Sequence, residues 1–466
     1  MDVPFNLNEE AKTASSDKPT DVELTIYQVE PSYYYYAAAN GFDINNGLAL
    51  IKEMRLANLP GGLTKFQMKG TAQYLDSTSL HLKDLTDGTT QVLEQNYQYD
   101  LVSNQKLMEN YIGKEIEVVT SDGKGGKEIV KGTLLSFSDG IVLKTATGIS
   151  SLKDFEKVNY PSLPEGLITS PTVEWLLSNS KAGEHKLQAS YLATGLNWHA
   201  DYVAIANSDD SNLDITGWVS IKNNGGATFE NAKLKLIAGD INLVRAASQP
   251  KYDERALGGA NDYGATTPQF AEESLFEYHL YSLQRPATLK NNEDKQITLF
   301  DSKGTPVQKQ LVYEGDGTKV KVKLLFDNSK KNNLGMPMPK GKVRVYKADS
   351  TGALQFVGED QIDHTPEDEK VRLFLGNAFD VVAEKKQTSQ KELGICASQS
   401  TYSVELRNHK KESVEVVVLQ NAYGEAEITN ENFKSTKESS SQFSWKIPVS
   451  ASGSATLTYT LEQRYC

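Results

Sequence analysis

Polar and apolar positions alternate with a period of two along most of this chain, the signature of strands that bury one face. Runs at 22–27, 172–177, 184–191, 199–206, 214–222 and 232–238 read this way. So do 277–283, 296–300, 319–326, 342–348, 371–375, 403–408, 413–420 and 455–461. Most close on Gly, Asn or Asp, the residues that turn a chain. A longer apolar run begins at Gly47, behind the turn signal Asn45-Asn46-Gly47, and Leu59-Pro60-Gly61-Gly62 is a further turn. Asn223-Asn224-Gly225-Gly226 is a strong turn between strands.

One helix is predicted, over 103–112. Ser103 suits its N-cap, Leu107, Met108, Tyr111 and Ile112 fall on one side, and Gly113 is a natural stop. A compact β unit follows. A strand at 115–120, the glycine turn Asp122-Gly-Lys-Gly-Gly126 and short strands at 132–137, 140–144 and 148–152 have the spacing of a small five-stranded barrel of the SH3 type. Pro161 and Pro164 mark its end.

The fold class expected is therefore all-β and multidomain: a small SH3-like barrel, antiparallel sandwich-like domains and one short helix. A length of 466 residues exceeds what one core supports. The division predicted is a disordered acidic leader at 1–20 and an N-terminal β domain at 21–110. The small barrel at 111–162 follows, then a middle β domain at 163–310 and a C-terminal sandwich-like domain at 311–466. Residues 246–270 lack periodicity and are rich in Ala, Gly and Pro, so a mobile loop is expected there. No repeat of fixed period is visible.

Composition narrows the partners. Net charge is -12, and no basic stripe is visible, which argues against nucleic acid and against adhesion to an anionic membrane surface. No stretch reaches the ~20 apolar residues of a membrane helix, so no membrane insertion is expected. Met1-Asp-Val-Pro-Phe lacks the basic-then-apolar pattern of an export signal. The expected location is periplasmic or extracellular if a signal was trimmed, and cytoplasmic otherwise. Cys396 and Cys466 are the two cysteines, and they read as free thiols. No Asn-x-Ser/Thr acceptor occurs, which leans towards a bacterial protein or an unglycosylated compartment.

Chemistry-bearing motifs are scarce. There is no phosphate-binding Gly-x-x-x-x-Gly-Lys-Ser/Thr loop, no Gly-x-Ser-x-Gly elbow, no His-Glu-x-x-His and no Cys-x-x-Cys. Asp122-Gly-Lys-Gly-Gly126 sits between strands and reads as a hairpin turn. Asp210-Ser-Asn212-Leu-Asp214 opens like a calcium loop, but Ile215 and Ile221 stand where Gly and Glu belong, so a solvated acidic connection is expected. His199 shares a strand face with Asp201, and Glu277 with His279. Asp363-His364 lies beside Glu367, Asp368 and Glu369. Converging, His279, His364, Glu277 and Asp363 would suit a divalent metal. The run Tyr33-Tyr34-Tyr35-Tyr36 is the candidate for partner contact. Four consecutive rings cannot all face one side of a strand, and exposed tyrosines give flat contact area at little entropic cost.

Several strings carry a resemblance when taken together. They are Tyr99-Asp-Leu-Val-Ser103, Tyr111-Ile-Gly-Lys-Glu-Ile-Glu117, Gly195-Leu-Asn-Trp198 with Ala200-Asp-Tyr-Val-Ala204, and Asp214-Ile-Thr-Gly-Trp218. Further on come Asn231-Ala-Lys-Leu-Lys-Leu-Ile-Ala-Gly-Asp240, Glu277-Tyr-His-Leu-Tyr281, Gly341-Lys-Val-Arg-Val-Tyr346 and Leu375-Gly-Asn-Ala-Phe379. Over about residues 21–466 the chain resembles the bacterial family catalogued as domain of unknown function 4139, distantly similar to mucoidy-inhibitor proteins. The resemblance implies an exported, periplasmic or surface life, and no catalytic residues. The function expected is a non-enzymatic, envelope- or surface-associated β protein acting through protein or carbohydrate contacts, self-association among them, with no cofactor. The alternatives are a metal-assisted hydrolase with a His/carboxylate site and an intracellular scaffold.

Overall fold

The computed structural model describes residues 10–29, 46–121, 125–239, 241, 269–315 and 317–465. The fold is all-β, as the alternation predicts, with five sheets and one α-helix among the described residues. Leu196–Ala206 shows why these segments are strands. Leu196, Trp198, Ala200, Tyr202, Ala204 and Ala206 are buried, while the residues between them face outwards.

The predicted N-terminal and middle domains are one body. Strand Asp21–Tyr27 lies between Phe229–Ala238 and Leu48–Leu59 in an eight-stranded sheet. Leu48–Leu59 in turn pairs along its whole length with Gly183–Thr194. A four-stranded sheet runs Lys12–Ser16, Gly62–Lys69, Thr172–Asn179, Gln91–Gln98. A five-stranded sheet runs Glu293–Pro306, Asn212–Asn223, Leu196–Ala206, Gly341–Ala348, Leu354–Ile362. One continuous core fills the space between them, from Ala14 to Leu373. The boundary near 163 and the one near 310 are thus both crossed by strand pairing. Periodicity shows which face of a strand is buried, but it is silent about the neighbour.

The leader is also partly ordered. Lys12–Ser16 is a strand parallel to Gly62–Lys69, with Ala14 and Ser16 buried. Residues 1–9 and most of the loop expected at 246–270 fall outside the described residues, although Phe270 already opens strand Phe270–Leu275.

The small unit contains the predicted helix, Asn104–Tyr111, and Ser103 accepts a hydrogen bond from the Lys106 amide as its cap. Its five strands form an antiparallel sheet in the order Gly148–Leu152, Ile141–Thr145, Lys127–Ser136, Glu115–Ser121, Lys157–Asn159. The outer strands do not pair with each other, so this sheet is not a closed barrel. Both are short, and Met108 and Tyr111 of the helix help cover its apolar face.

The C-terminal sandwich is one nine-stranded sheet that curls over a second core. Trp445 on Gln442–Val449 and Tyr459 on Ser454–Arg464 lie in opposite halves of the strand order, yet their rings are 4.4 Å apart. Cys396, expected as a free thiol, is disulfide-bonded; the chain's other cysteine is Cys466.

Two buried polar clusters tie the first body together. Arg55 donates Nε and Nη2 to Glu53 Oε2 and Nη1 to the carbonyls of Ser16 and Lys69, while Tyr191 donates to Glu53 Oε1 at 2.9 Å. Both charges are buried, so each is held only by the other and by these bonds. In the second cluster His185 Nδ1 lies 2.6 Å from Asp84, and Asp87 accepts from Thr89, Ser180 and the Lys181 amide. The Thr89 hydroxyl, seconded by these amides and Ser180, outweighs burial and holds the Asp87 carboxyl well below the usual aspartate range.

Two outcomes are expected. Arg55→Met leaves Glu53 buried and unpaired, and urea unfolding followed by tryptophan fluorescence should show a loss of about 3–5 kcal/mol. Replacing both residues by apolar ones should cost less than either single change. Because the folded pKa of Asp87 is lowered, its stabilisation is present above the unfolded value near ~4 and is lost as pH falls through the folded value. The stability gap between wild type and Asp87→Asn should therefore shrink as pH drops from about 5 to about 2; a constant gap would show that the charge is irrelevant.

Candidate functional site

The strands Phe270–Leu275 and Tyr278–Leu283 form a hairpin at the edge of the eight-stranded sheet, with Leu275 opposite Tyr278. Its root is buried: Phe270, Leu280, Tyr281 and Leu283 lie in or against the core, and the Tyr281 ring meets Trp198 edge-on. Tyr278 packs over Gly239, where a Cβ would sit 2.6 Å from the ring. The hairpin is thus anchored, and its two-residue turn, Phe276-Glu277, projects beyond the anchor.

Two-residue hairpin turns require a positive φ at the first central position, which Gly or Asn adopts easily. Here that position is Phe276, at φ +56°. Eight described non-glycine residues have positive φ; six are Asn or Asp, one is Ser452, and Phe276 is the only aromatic. A bulky side chain in this region costs roughly 1–2 kcal/mol. Burial of the ring does not offset that cost, because the side chain is 92% exposed.

A second aromatic is displayed by similar means. Strand Lys370–Gly394 pairs with Lys319–Asp327, but between Asn377 and Val382 it advances five positions while its partner advances two. The bulge turns Val381 into the core and Phe379 out into solvent, 95% exposed. At the far end of the same strand, Ile395 at the tip of the hairpin with Ala397–Asn408 is fully exposed beside the disulfide-bonded Cys396.

The residues singled out from sequence are placed as follows. Tyr33, Tyr34, Tyr35 and Tyr36 lie outside the described residues. His279 contacts Glu272 of the opposite strand, 2.7 Å from Nδ1, rather than Glu277, which belongs to the turn. His364 accepts a hydrogen bond from the Lys340 amide through Nδ1, and Asp363 accepts from the His364 amide, so this pair fixes the entry to the Gly341–Ala348 strand. Among the described residues no three His, Cys, Asp or Glu side chains are grouped so as to hold a metal ion. His199 lies 3.1 Å from Asp201, whose second and third contacts are Ser220 and Arg344. The His199 hydrogen bond, outweighing burial, lowers the Asp201 carboxyl. The oxygens of Asp210, the first position of the calcium-like loop, are taken by Lys309 and Lys347.

Sequence reading passed over Phe276 and Phe379. The signal for Phe276 was present, since a Phe-Glu dipeptide stands between two strands where turn chemistry asks for Gly or Asn. Phe379 carries no such signal, because a bulge depends on the partner strand.

Residues 187–466 match the family described as domain of unknown function (DUF4139). No curated protein matches the chain.

Phe276→Gly relieves the backbone and loses no burial. It should raise stability by about 1 kcal/mol, read as a higher thermal midpoint. A lower midpoint would mean that the ring is used within the chain.

Proposed function

The chain belongs to the DUF4139 family, and from that premise we propose that it is a non-enzymatic bacterial envelope or surface protein that works through contacts with protein or carbohydrate. The observation that carries this reading is Phe276, an exposed aromatic kept in a conformation that the chain elsewhere assigns to Asn, Asp, Ser or Gly. An exposed ring retained against its own backbone preference supports a use outside the molecule. Phe379, thrown out by a bulge, supports the same reading, as does Ile395. In this reading the small five-stranded unit is an opened-out SH3-like barrel and serves as a spacer or a second contact module.

Sulfur chemistry supports the envelope side of this reading. Disulfides persist in oxidising surroundings and are rare where glutathione and thioredoxin keep thiols reduced. Cys396 is disulfide-bonded, at the tip of a hairpin rather than beside a catalytic group. That favours a life outside the cytoplasm over an intracellular scaffold.

Two measurements test the proposal. Alkylation of intact host cells should leave Cys396 unmodified until a reductant is added. A free Cys396 in a cytosolic fraction would defeat the envelope reading and favour the scaffold. Replacing Phe276 and Phe379 together by Ser should weaken co-sedimentation of the purified full chain with host envelope fractions by about tenfold or more. Unchanged co-sedimentation with an unchanged thermal midpoint would remove both rings from the contact.

A further inference from the structure

A second feature lies in the C-terminal sandwich, in a different sheet from the hairpin of Phe276. There the hairpin of Gln308–Tyr313 and Lys319–Asp327 ends while the neighbouring strand Lys370–Gly394 continues past it. The step leaves a cleft of about 450 Å³, lined by Tyr313, Gly315, Gly317, Thr318, Lys385 and Tyr402 among others.

Lys385 is the one cationic side chain in the lining. Its Nζ donates to Gln420 Oε1 and lies 4.4 Å from the centre of the Tyr402 ring. Gln420 is itself fixed, because its Oε1 also accepts from the buried Tyr459 hydroxyl. The lysine is therefore held in place rather than free to sweep the surface. It is half-buried and makes no ion pair with a carboxylate among the described residues. Glu384, also in the lining, is committed to Lys386 and Arg407. Burial accordingly pulls the Lys385 ammonium below the usual lysine range.

Access to this ammonium depends on glycine. A Cβ at Gly315 would lie 3.5 Å from Nζ, so the absent side chain leaves that side of the charge uncovered; a Cβ at Gly317 would meet nothing within 4 Å. An ammonium has three N–H donors, and among the described residues only one is used in a hydrogen bond. Among the described residues this is a fixed cation with spare donors and no counter-ion, which matches a carboxylate attached to a small polar body.

We propose that this cleft binds a small ligand through its carboxylate, with Lys385 as the anchor and the partly exposed Tyr402 beside it. The carboxylate could be that of a uronic acid or the free C-terminus of a peptide. The site stands on its own geometry and does not depend on the envelope reading.

The test uses the purified full chain and saturation-transfer NMR with four probes: D-glucuronate, D-glucose, N-acetylglycine and N-acetylglycinamide. A carboxylate probe should bind at least about tenfold more tightly than its neutral counterpart, and Lys385→Met should remove that preference. Preference for glucuronate identifies a sugar acid, and preference for N-acetylglycine a chain terminus. Equal binding of charged and neutral probes, no binding of either carboxylate, or an undiminished preference in Lys385→Met overturns the proposal. The charged-against-neutral comparison in wild type decides the matter even if the variant misfolds.

Discussion

Several strands in the first body find a neighbour across a long stretch of chain, and one core is shared among them. Asp21–Tyr27 runs parallel to Phe229–Ala238, and Leu196–Ala206 runs parallel to Gly341–Ala348. Parallel neighbours cannot be joined by a tight turn, so each such pair forces an excursion. The small five-stranded unit occupies one excursion. The nine-stranded sheet is entered from the first body, left for Gly341–Ala348 and Leu354–Ile362, and then re-entered at Lys370–Gly394. Domains that look consecutive in sequence are therefore threaded through one another.

Polar groups make this threading specific. Arg55 touches the carbonyls of Ser16 and Lys69, so one side chain reports whether the first and fourth strands of the chain are both in place. Three buried asparagines do the same for loops. Asn223 donates to the carbonyls of Ala227, Leu289 and Lys290, Asn328 to those of Met336 and Pro366, and Asn408 to those of Glu412 and Ser450. A primary amide brings two donors and an acceptor to backbone groups that would otherwise be buried without partners, and that shortage is costly in an apolar core. The turn read at Asn223-Asn224-Gly225-Gly226 is real as punctuation, but Asn223 is there as a template rather than for flexibility.

What was legible in the sequence follows from range. Alternation identified strands at 199–206 and 214–222, which the structure extends to Leu196–Ala206 and Asn212–Asn223, and local capping identified the helix at Ser103, because neighbours within a few residues decide both. Strand Lys12–Ser16 was missed because its five residues are mostly polar and are ordered by Gly62–Lys69, about fifty positions on. The partner of His279 was misassigned for a related reason. An i, i+2 neighbour on a strand shares its face, yet Glu272 reaches His279 from the opposite strand. The cleft at Lys385 had no local signature at all, since it exists only where one strand outruns its neighbour.

The same geometry explains where this fold has room for function. A sheet residue with partners on both sides has its backbone committed and its side chain directed by the pleat, so it can offer little to a ligand. Freedom returns where pairing stops. Phe276 sits at a turn beyond the last anchored pair, Phe379 on a bulge where the register slips, Ile395 at the tip of a hairpin that projects past its neighbour, and Lys385 on the step that the same projection creates. Three of the four lie on or beside the strand Lys370–Gly394, which is longer than any strand it pairs with. Packing alone would favour trimming that strand to the length of its neighbours, because its last residues expose backbone and apolar side chains together. In the proposed reading that length creates both the exposed Phe379 and Ile395 and the cleft at Lys385, so the excess would serve contact rather than stability.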